Sequence, residues 1–297
     1  MLIDNAIEKF IEWKGVYSPT GALRYKPRLT KFRNMISTKE YLHDITTEDV
    51  IRFHKLMDTD KYSKATISYS LVIIKCFFNF WKERGEQVPN PKEIKTIPFV
   101  TRLKPVVSKL DFEKLSSCLD EYNFTELKIK LVIHLLWDTG IRVSELIDLN
   151  ISDFHEPNSE GIRTAQIISK KSSRYNLIAW SKETDNLLNM YLGVRLNQNI
   201  YHDALFINLN RKKVKKLDPK TIQRWVKIVT YKAGITKSFT PHSFRHGKAH
   251  HMHNNGANIR DVQAILRHIN PITTFHYLSL NQKQFLDVAE QHLKVVA

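Results

Sequence analysis

Four prolines, Pro89, Pro91, Pro98 and Pro105, fall within one short stretch between Glu86 and Val107. Each removes a backbone donor and clashes with the turn before it, so no helix can run through this stretch. Lys92, Lys95, Arg102 and Lys104 keep it basic, as suits a solvated connection. The patterning on either side is that of packed elements, so two domains are expected, 1–88 and 108–297, joined by a linker over 89–107. A chain of 297 residues is long enough for this, at about 150 residues per domain. The 42% hydrophobic content can drive collapse, and 9 Gly and 10 Pro exclude a fibrous or low-complexity chain.

The first domain reads as helical. Ala6, Ile7, Phe10, Ile11 and Trp13 recur near helical spacing, and Thr46 or Thr47 caps a second run carrying Val50, Ile51, Phe53, Leu56 and Met57. A third helix is expected from about Lys64 to Arg84, stopped by Gly85, with Ile67, Leu71, Ile74, Phe78 and Trp81 inward. A four-helix bundle is the natural expectation. In the second domain Ser108 and Asp111 form a capping-box pattern that opens a mainly helical stretch to about Asn150. The period then switches. Thr164 to Ser169 and Tyr175 to Trp180 read as strands joined by a Lys- and Ser-rich turn, with Ala204 to Asn208 a third. Helices resume at Ser181 and again after Pro219. The expected fold class is mainly α with a small β-sheet, a helical domain followed by a mixed α/β one.

Charge narrows the function. Lys and Arg total 46 against 30 Asp and Glu, a net charge of +16. Residues 161–250 hold 18 basic and 4 acidic residues, so under a third of the chain supplies 14 of those 16 charges. Such concentration points to a polyanion, because neutralising phosphates and releasing counterions drives sequence-independent nucleic-acid binding. Candidate contacts here are Lys171, Arg174, Arg211 and Lys212, with Lys213, Lys215 and Lys216 beyond them. A second strip, Ala22 to Asn34, is expected between the first two helices and carries Arg24, Lys26, Arg28, Lys31 and Arg33 without an acidic residue. No membrane role is expected: apolar runs such as Leu71 to Ile74 are broken far short of a bilayer span, and Met1 to Gly15 lacks a signal-peptide pattern. Cys76 and Cys118 form no CxxC pair, which fits a reducing compartment, and a cytoplasmic protein is expected.

Three segments can carry chemistry. Arg142 follows the turn glycine Gly140, and Glu145 lies three residues on, where it can hold the guanidinium in place. Taken alone, such a pair is more often surface decoration. Pro241-His242-Ser243-Phe244-Arg245 places an acid/base group one helical turn before a permanent cation. The pairs His242/His246 and His246/His250 have metal-chelating spacing, but no HExxH glutamate accompanies them, so neither metal nor cofactor is expected. The third segment runs from Leu266-Arg267-His268 to Phe275-His276-Tyr277.

With these segments in this order, the chain resembles the tyrosine recombinase (site-specific recombinase and integrase) family over nearly its whole length. The nine-residue step from His268 to Tyr277, with Thr273 and Thr274 between, is similar to that family's catalytic end. Two departures stand out. The family commonly has glycine where this chain has Arg267, and its strand-turn lysine maps onto Lys170 or the adjacent Lys171, with Lys170 favoured. The resemblance implies a helical core-binding domain, a catalytic domain and a metal-free, ATP-free strand exchange. In it Arg142 and Arg245 clamp the scissile phosphate, as planar guanidinium groups suit. His242 and His268 hydrogen-bond that phosphate, Lys170 protonates the leaving 5′ oxygen, and Tyr277 forms a 3′-phosphotyrosyl link.

It implies as partners double-stranded DNA with specific sites and a homo-tetramer in the synapse, with the tail carrying Phe285, Leu286 and Leu293 docked on a neighbour, and is compatible with a monomer off DNA. The early start of the core-binding domain fits a simple Xer-like resolvase or a short integrase of a mobile element. An inactive architectural DNA-binding protein of the same fold is the alternative reading, and a metal-dependent nuclease the third.

Overall fold

The computed structural model describes residues 1–99, 105–169, 174–198, 200–210 and 213–267. Two compact units divide the chain, Met1–Leu103 and Lys104–Ala297. The division falls inside the proline-rich stretch. Part of that stretch is core rather than free strap: Ile94 is buried with the first unit and Val107 with the second.

The first unit is four helices, α1 (Ile3–Tyr17), α2 (Pro19–Met35), α3 (Thr47–Thr59) and α4 (Lys64–Lys82). Thr46 caps α3 through a reciprocal pair of bonds with Asp49, and Ser63 caps α4. Apolar residues fill most of one face of α4, which packs against the other three helices. Phe10 meets Phe77 edge-on at 5.5 Å, and Phe32 meets Phe53 likewise at 5.4 Å, the arrangement that suits aromatic quadrupoles. One expectation is corrected here. The basic strip over Ala22 to Asn34 does not lie between helices, because α2 runs through it with Pro27 inside. Ala22, Leu29 and Phe32 anchor that helix in the core, and this burial outweighs the donor lost at Pro27.

In the second unit α5 (Lys109–Ser117) starts at Ser108, whose hydroxyl and Asp111 carboxylate exchange the two expected capping bonds. The next helix, α6 (Phe124–Thr139), is buried on nearly every face and packs against α5, the helices Lys182–Asn197, Pro219–Lys232 and Pro241–Asn254, and the strand Arg174–Trp180. It stops at Gly140, whose φ of +55° is a left-handed conformation that glycine adopts without steric cost. The short α7 (Val143–Asp148) follows at once.

Strands β1 (Arg163–Ser169) and β2 (Arg174–Trp180) pair antiparallel, Arg163 opposite Trp180. Ala165, Ile167, Ile178 and Trp180 face the core while Ile168, Tyr175 and Leu177 are exposed. After α8 (Lys182–Asn197), capped by Ser181, comes a second hairpin, β3 (Ile207–Asn210) with β4 (Lys213–Lys216). The third expected strand thus begins at Ile207 rather than Ala204, which instead bridges Asn150. Sequence patterning shows no strand at β4, whose run of lysines has none of the apolar alternation that marks one.

Helices α9 (Pro219–Lys232), α10 (Pro241–Asn254) and α11 (Ile259–Leu266) complete the described chain. Gly247 lets α10 close on the chain entering this unit, since a Cβ there would lie 2.3 Å from the Val107 carbonyl oxygen. The described sheet structure is therefore two separate two-stranded sheets within a mainly helical protein.

Candidate functional site

Three chain segments, 140–145, the helix carrying Arg245, and 266–267, converge on one locus. Gly140 turns the chain from α6 into α7 and puts Arg142 immediately before that helix. Glu145, in the first turn of α7 and 3% exposed at its side chain, accepts the Arg142 backbone N–H at 3.1 Å and Arg142 Nη1 at 2.7 Å. The intrahelical pair is therefore partly buried and fixed by two bonds. Arg142 keeps 28% of its side chain exposed while Glu145 holds its backbone N–H and its Nη1.

Arg245, on the inner face of α10, is 1% exposed. Its Nη1 donates to the Gly140 carbonyl at 2.6 Å and its Nη2 donates to the Leu266 carbonyl. Both acceptors sit where a helix ends, at the negative pole of the backbone dipole, so a cation there is favoured as well as hydrogen-bonded. Arg245 thereby ties the end of α6 to the end of α11. Leu266 in turn packs on Gly140, where any Cβ would come within 2.6 Å of its Cδ2.

The circuit closes through Arg267, which follows Leu266. Its Nη2 lies 3.6 Å from Glu145 Oε2, and its side chain is 4% exposed. Burial, with Arg142 nearby, pulls its guanidinium down to about 10 against the opposing pull of Glu145. From Arg142 through Glu145, Arg267, Leu266 and Arg245 back to Gly140, residues far apart in sequence form one locus. A cavity of about 470 Å³ adjoins it, bounded by Asp138, Thr139, Lys248, Ile265, Arg267 and the first hairpin. Burial holds the Lys248 ammonium below the ordinary lysine range, with Asp138 pulling the other way.

The structure thus brings together Arg142, Glu145 and Arg245 of the expected set. His242 is exposed at the start of α10, one turn before Arg245. His268, Tyr277, Lys170 and Lys171 lie outside the described residues, as do Arg211, Lys212 and the tail residues Phe285, Leu286 and Leu293. Arg174, Lys213 and Lys215 are described in backbone only, and Lys216 lies 4.0 Å from Asp148. Of the strip on α2, Arg24 and Lys26 are exposed and Arg28 half-buried. Lys31 is bonded to Asp60 and sits over the Tyr62 ring. Arg33 donates to both Asp4 oxygens and to the Ile36 and Lys39 carbonyls, which ties α2 to α1. Among the described residues no three His, Cys, Asp or Glu side chains gather as metal ligands would, and no described helix is long and apolar enough to cross a membrane.

Sequence reading assigned no role to Arg267. It stands where the resemblance leads one to expect glycine, and that mismatch was the available signal.

Comparison with known proteins gives the same orientation. The profile of the Phage integrase family matches residues 106–284. The tyrosine recombinase XerA of Pyrococcus furiosus is 30% identical over 248 residues, 83% of this chain and 80% of that protein. The tyrosine recombinase XerD of Listeria innocua is 27% identical over 98% of this chain and 97% of its own. Among solved structures, the crystal structure of XerA recombinase superimposes with a TM-score of 0.54 at 27% identity, covering 97% of this chain and 98% of that one. The XerH site-specific recombinase in a post-cleavage complex with palindromic difH substrate gives a TM-score of 0.76 at 21% identity, a likeness of fold, covering 95% and 83%.

Proposed function

Because the chain belongs to the Phage integrase family and is a tyrosine recombinase of the Xer and integrase type, we propose that it recombines DNA at specific sites through a 3′-phosphotyrosyl intermediate formed by Tyr277. The observation that carries this reading is the convergence of Arg142, Glu145 and Arg245 on one locus. A phosphodiester resists cleavage because the transition state gathers negative charge on a five-coordinate phosphorus while expelling a poor alkoxide. Fixed cations answer the first difficulty and a proton donor the second.

Arg142 is ready for this task. Glu145 fixes one Nη, and the other N–H groups of this partly exposed side chain donate to a non-bridging oxygen. Arg245 is closed to solvent in the described arrangement, with both Nη atoms on carbonyls. Held in this way, Arg245 contributes position and field to the site.

Tyr277 attacks the phosphorus, the bond to the 5′ oxygen breaks, and Lys170 delivers a proton to that leaving oxygen. A phenol of pKa about 10 is roughly one part in a thousand ionised at pH 7, so about 4 kcal/mol must come from neighbouring cations or a base. His242 and His268 hydrogen-bond the same phosphate. The free 5′ hydroxyl of the partner strand then attacks the phosphotyrosyl link, so one phosphodiester is exchanged for another. The partners in this reading are double-stranded DNA and three further copies of the chain in the synapse, in the cytoplasm.

The test uses nicked suicide duplexes taken from the DNA flanking the protein's own gene, with the covalent adduct resolved on a denaturing gel. The wild-type protein is expected to form the adduct in EDTA, and Tyr277→Phe to bind the same DNA without forming it. Binding without any adduct would replace this reading with an architectural DNA-binding protein of the same fold. An adduct from Tyr277→Phe would dismiss the nucleophile.

A further inference from the structure

Arg267 occupies an unfavourable position. Its φ of +56° and ψ of +46° are left-handed, a conformation that glycine adopts freely and a residue with a Cβ does not. Its side chain is nonetheless turned inward and 4% exposed. Nη1 donates to the Ile265 carbonyl at 2.9 Å, but Nε and Nη2 are buried and have no hydrogen-bond partner among the described residues. Backbone strain, loss of solvation and two donors unbonded among the described residues fall on one residue. A group with only a packing role gains nothing from a guanidinium here, because glycine would relieve all three.

The guanidinium does have an electrostatic neighbour. Glu145 Oε2 lies 3.6 Å from Nη2, and this same oxygen accepts the Arg142 backbone N–H at 3.1 Å, while Oε1 holds Arg142 Nη1 at 2.7 Å. One carboxylate is thus shared between two arginines. With a single arginine beside it, Glu145 would neutralise most of the Arg142 charge. With two, its charge is divided and the locus stays net positive at Arg142.

We propose that Arg267 is a positioning residue for strand cleavage, which braces Glu145 at the same Oε2 that accepts the Arg142 N–H and leaves Arg142 oriented and cationic toward the scissile phosphate. This inference rests on the recombinase reading above and names a third guanidinium for its site. Its left-handed backbone caps α11, and its side chain reaches Glu145 on α7.

The decisive variant is Arg267→Gly, which suits the backbone and removes only the side chain. Three readings are taken on the full chain: the thermal midpoint, the rate of adduct formation on nicked duplex, and hydrogen exchange of the Arg142 amide. The midpoint is expected to stay level or rise. Adduct formation is expected to slow by about tenfold or more, with DNA affinity changed by less than about twofold, since orientation of a catalytic group acts on the chemical step. The Arg142 amide is expected to exchange faster by about tenfold as Glu145 loosens.

In a Glu145→Gln background, adding Arg267→Gly is expected to change the rate by less than about twofold, because the link between the two arginines is already cut. Wild-type cleavage together with unchanged Arg142 exchange would overturn the proposal. So would a rate loss that follows a fall in the midpoint and combines multiplicatively with Glu145→Gln. If the wild-type protein binds DNA but forms no adduct, the recombinase reading fails by itself, and the Arg142 amide then decides whether Arg267 positions that segment.

Discussion

Arg33 and Lys26 show how little residue type says about role. Both are basic residues of one helix, yet Arg33 is committed to Asp4 and two carbonyls while Lys26 is exposed. Arg33→Ala is expected to lower stability by about 1 kcal/mol, read by urea denaturation. Lys26→Ala should leave stability unchanged and, if Lys26 meets a phosphate, reduce the salt slope of DNA binding by about one. Arg245 is the sharper case. Truncation to alanine strands the Gly140 and Leu266 carbonyls in a buried site, so Arg245→Ala is expected to destabilise the second unit by about 3 kcal/mol or more. Arg245→Lys keeps the charge but lacks the planar fork that reaches both carbonyls, and should recover only part of that loss. A cleavage defect in either variant therefore has to be read beside its melting curve. Gly140→Ala belongs with them: a strained φ and a Cβ within 2.6 Å of Leu266 Cδ2 predict a loss of about 1–3 kcal/mol by the same measurement.

At the scale of elements, α6 governs the second unit, and a titratable group lies within it. His134 is 2% exposed, with Nε2 2.7 Å from Ser116 Oγ and Nδ1 3.4 Å from Thr184 Oγ1. Burial, only partly opposed by Asp138, pulls its imidazole from 6.5 down to about 4. Between these values the unfolded chain binds a proton that the folded one refuses, so protonation favours unfolding. Stability is full above about pH 6.5 and falls as the pH drops towards about 4, by roughly 3 kcal/mol in all. Denaturation midpoints across that range are expected to show this slope, and His134→Gln to flatten it.

The elements also differ in how readily sequence discloses them. Thr46 with Asp49 and Ser108 with Asp111 declare their helices because capping is a local bond between near neighbours. Helix α2 is concealed, since Pro27 and five basic residues mask the sparse apolar positions that hold it in the core. Strand β4 is concealed for a different reason: its four residues are strand only by pairing with β3, and their own side chains give no alternation.

For the whole molecule, each unit has its own core, the first built around Phe10, Phe32, Phe53, Phe77 and Phe78. A fragment spanning Met1–Leu103 is therefore expected to fold alone, with a cooperative melt and dispersed amide resonances. A fragment without such a transition would show that its core needs the second unit. The +16 charge is also a property of the whole chain. DNA affinity is expected to fall linearly in log–log form as salt rises, and more steeply for the full chain than for the fragment, because 14 of the net charges lie in residues 161–250.

By itself, the order of amino acids determined the mainly helical fold class, the concentration of basic charge over 161–250 and the succession of Arg142, His242, Arg245, His268 and Tyr277. These are encoded by local spacing, capping and charge, which act between residues close in sequence or by simple sum. Tertiary structure alone decided that the Arg245 guanidinium joins the ends of two helices, and that Arg267, in a left-handed turn, reaches back to the carboxylate that Arg142 already holds. Two of those contacts, Arg245 to Gly140 and Arg267 to Glu145, join residues more than a hundred positions apart. Their geometry depends on how α6, α7, α10 and α11 pack together, which no periodicity records.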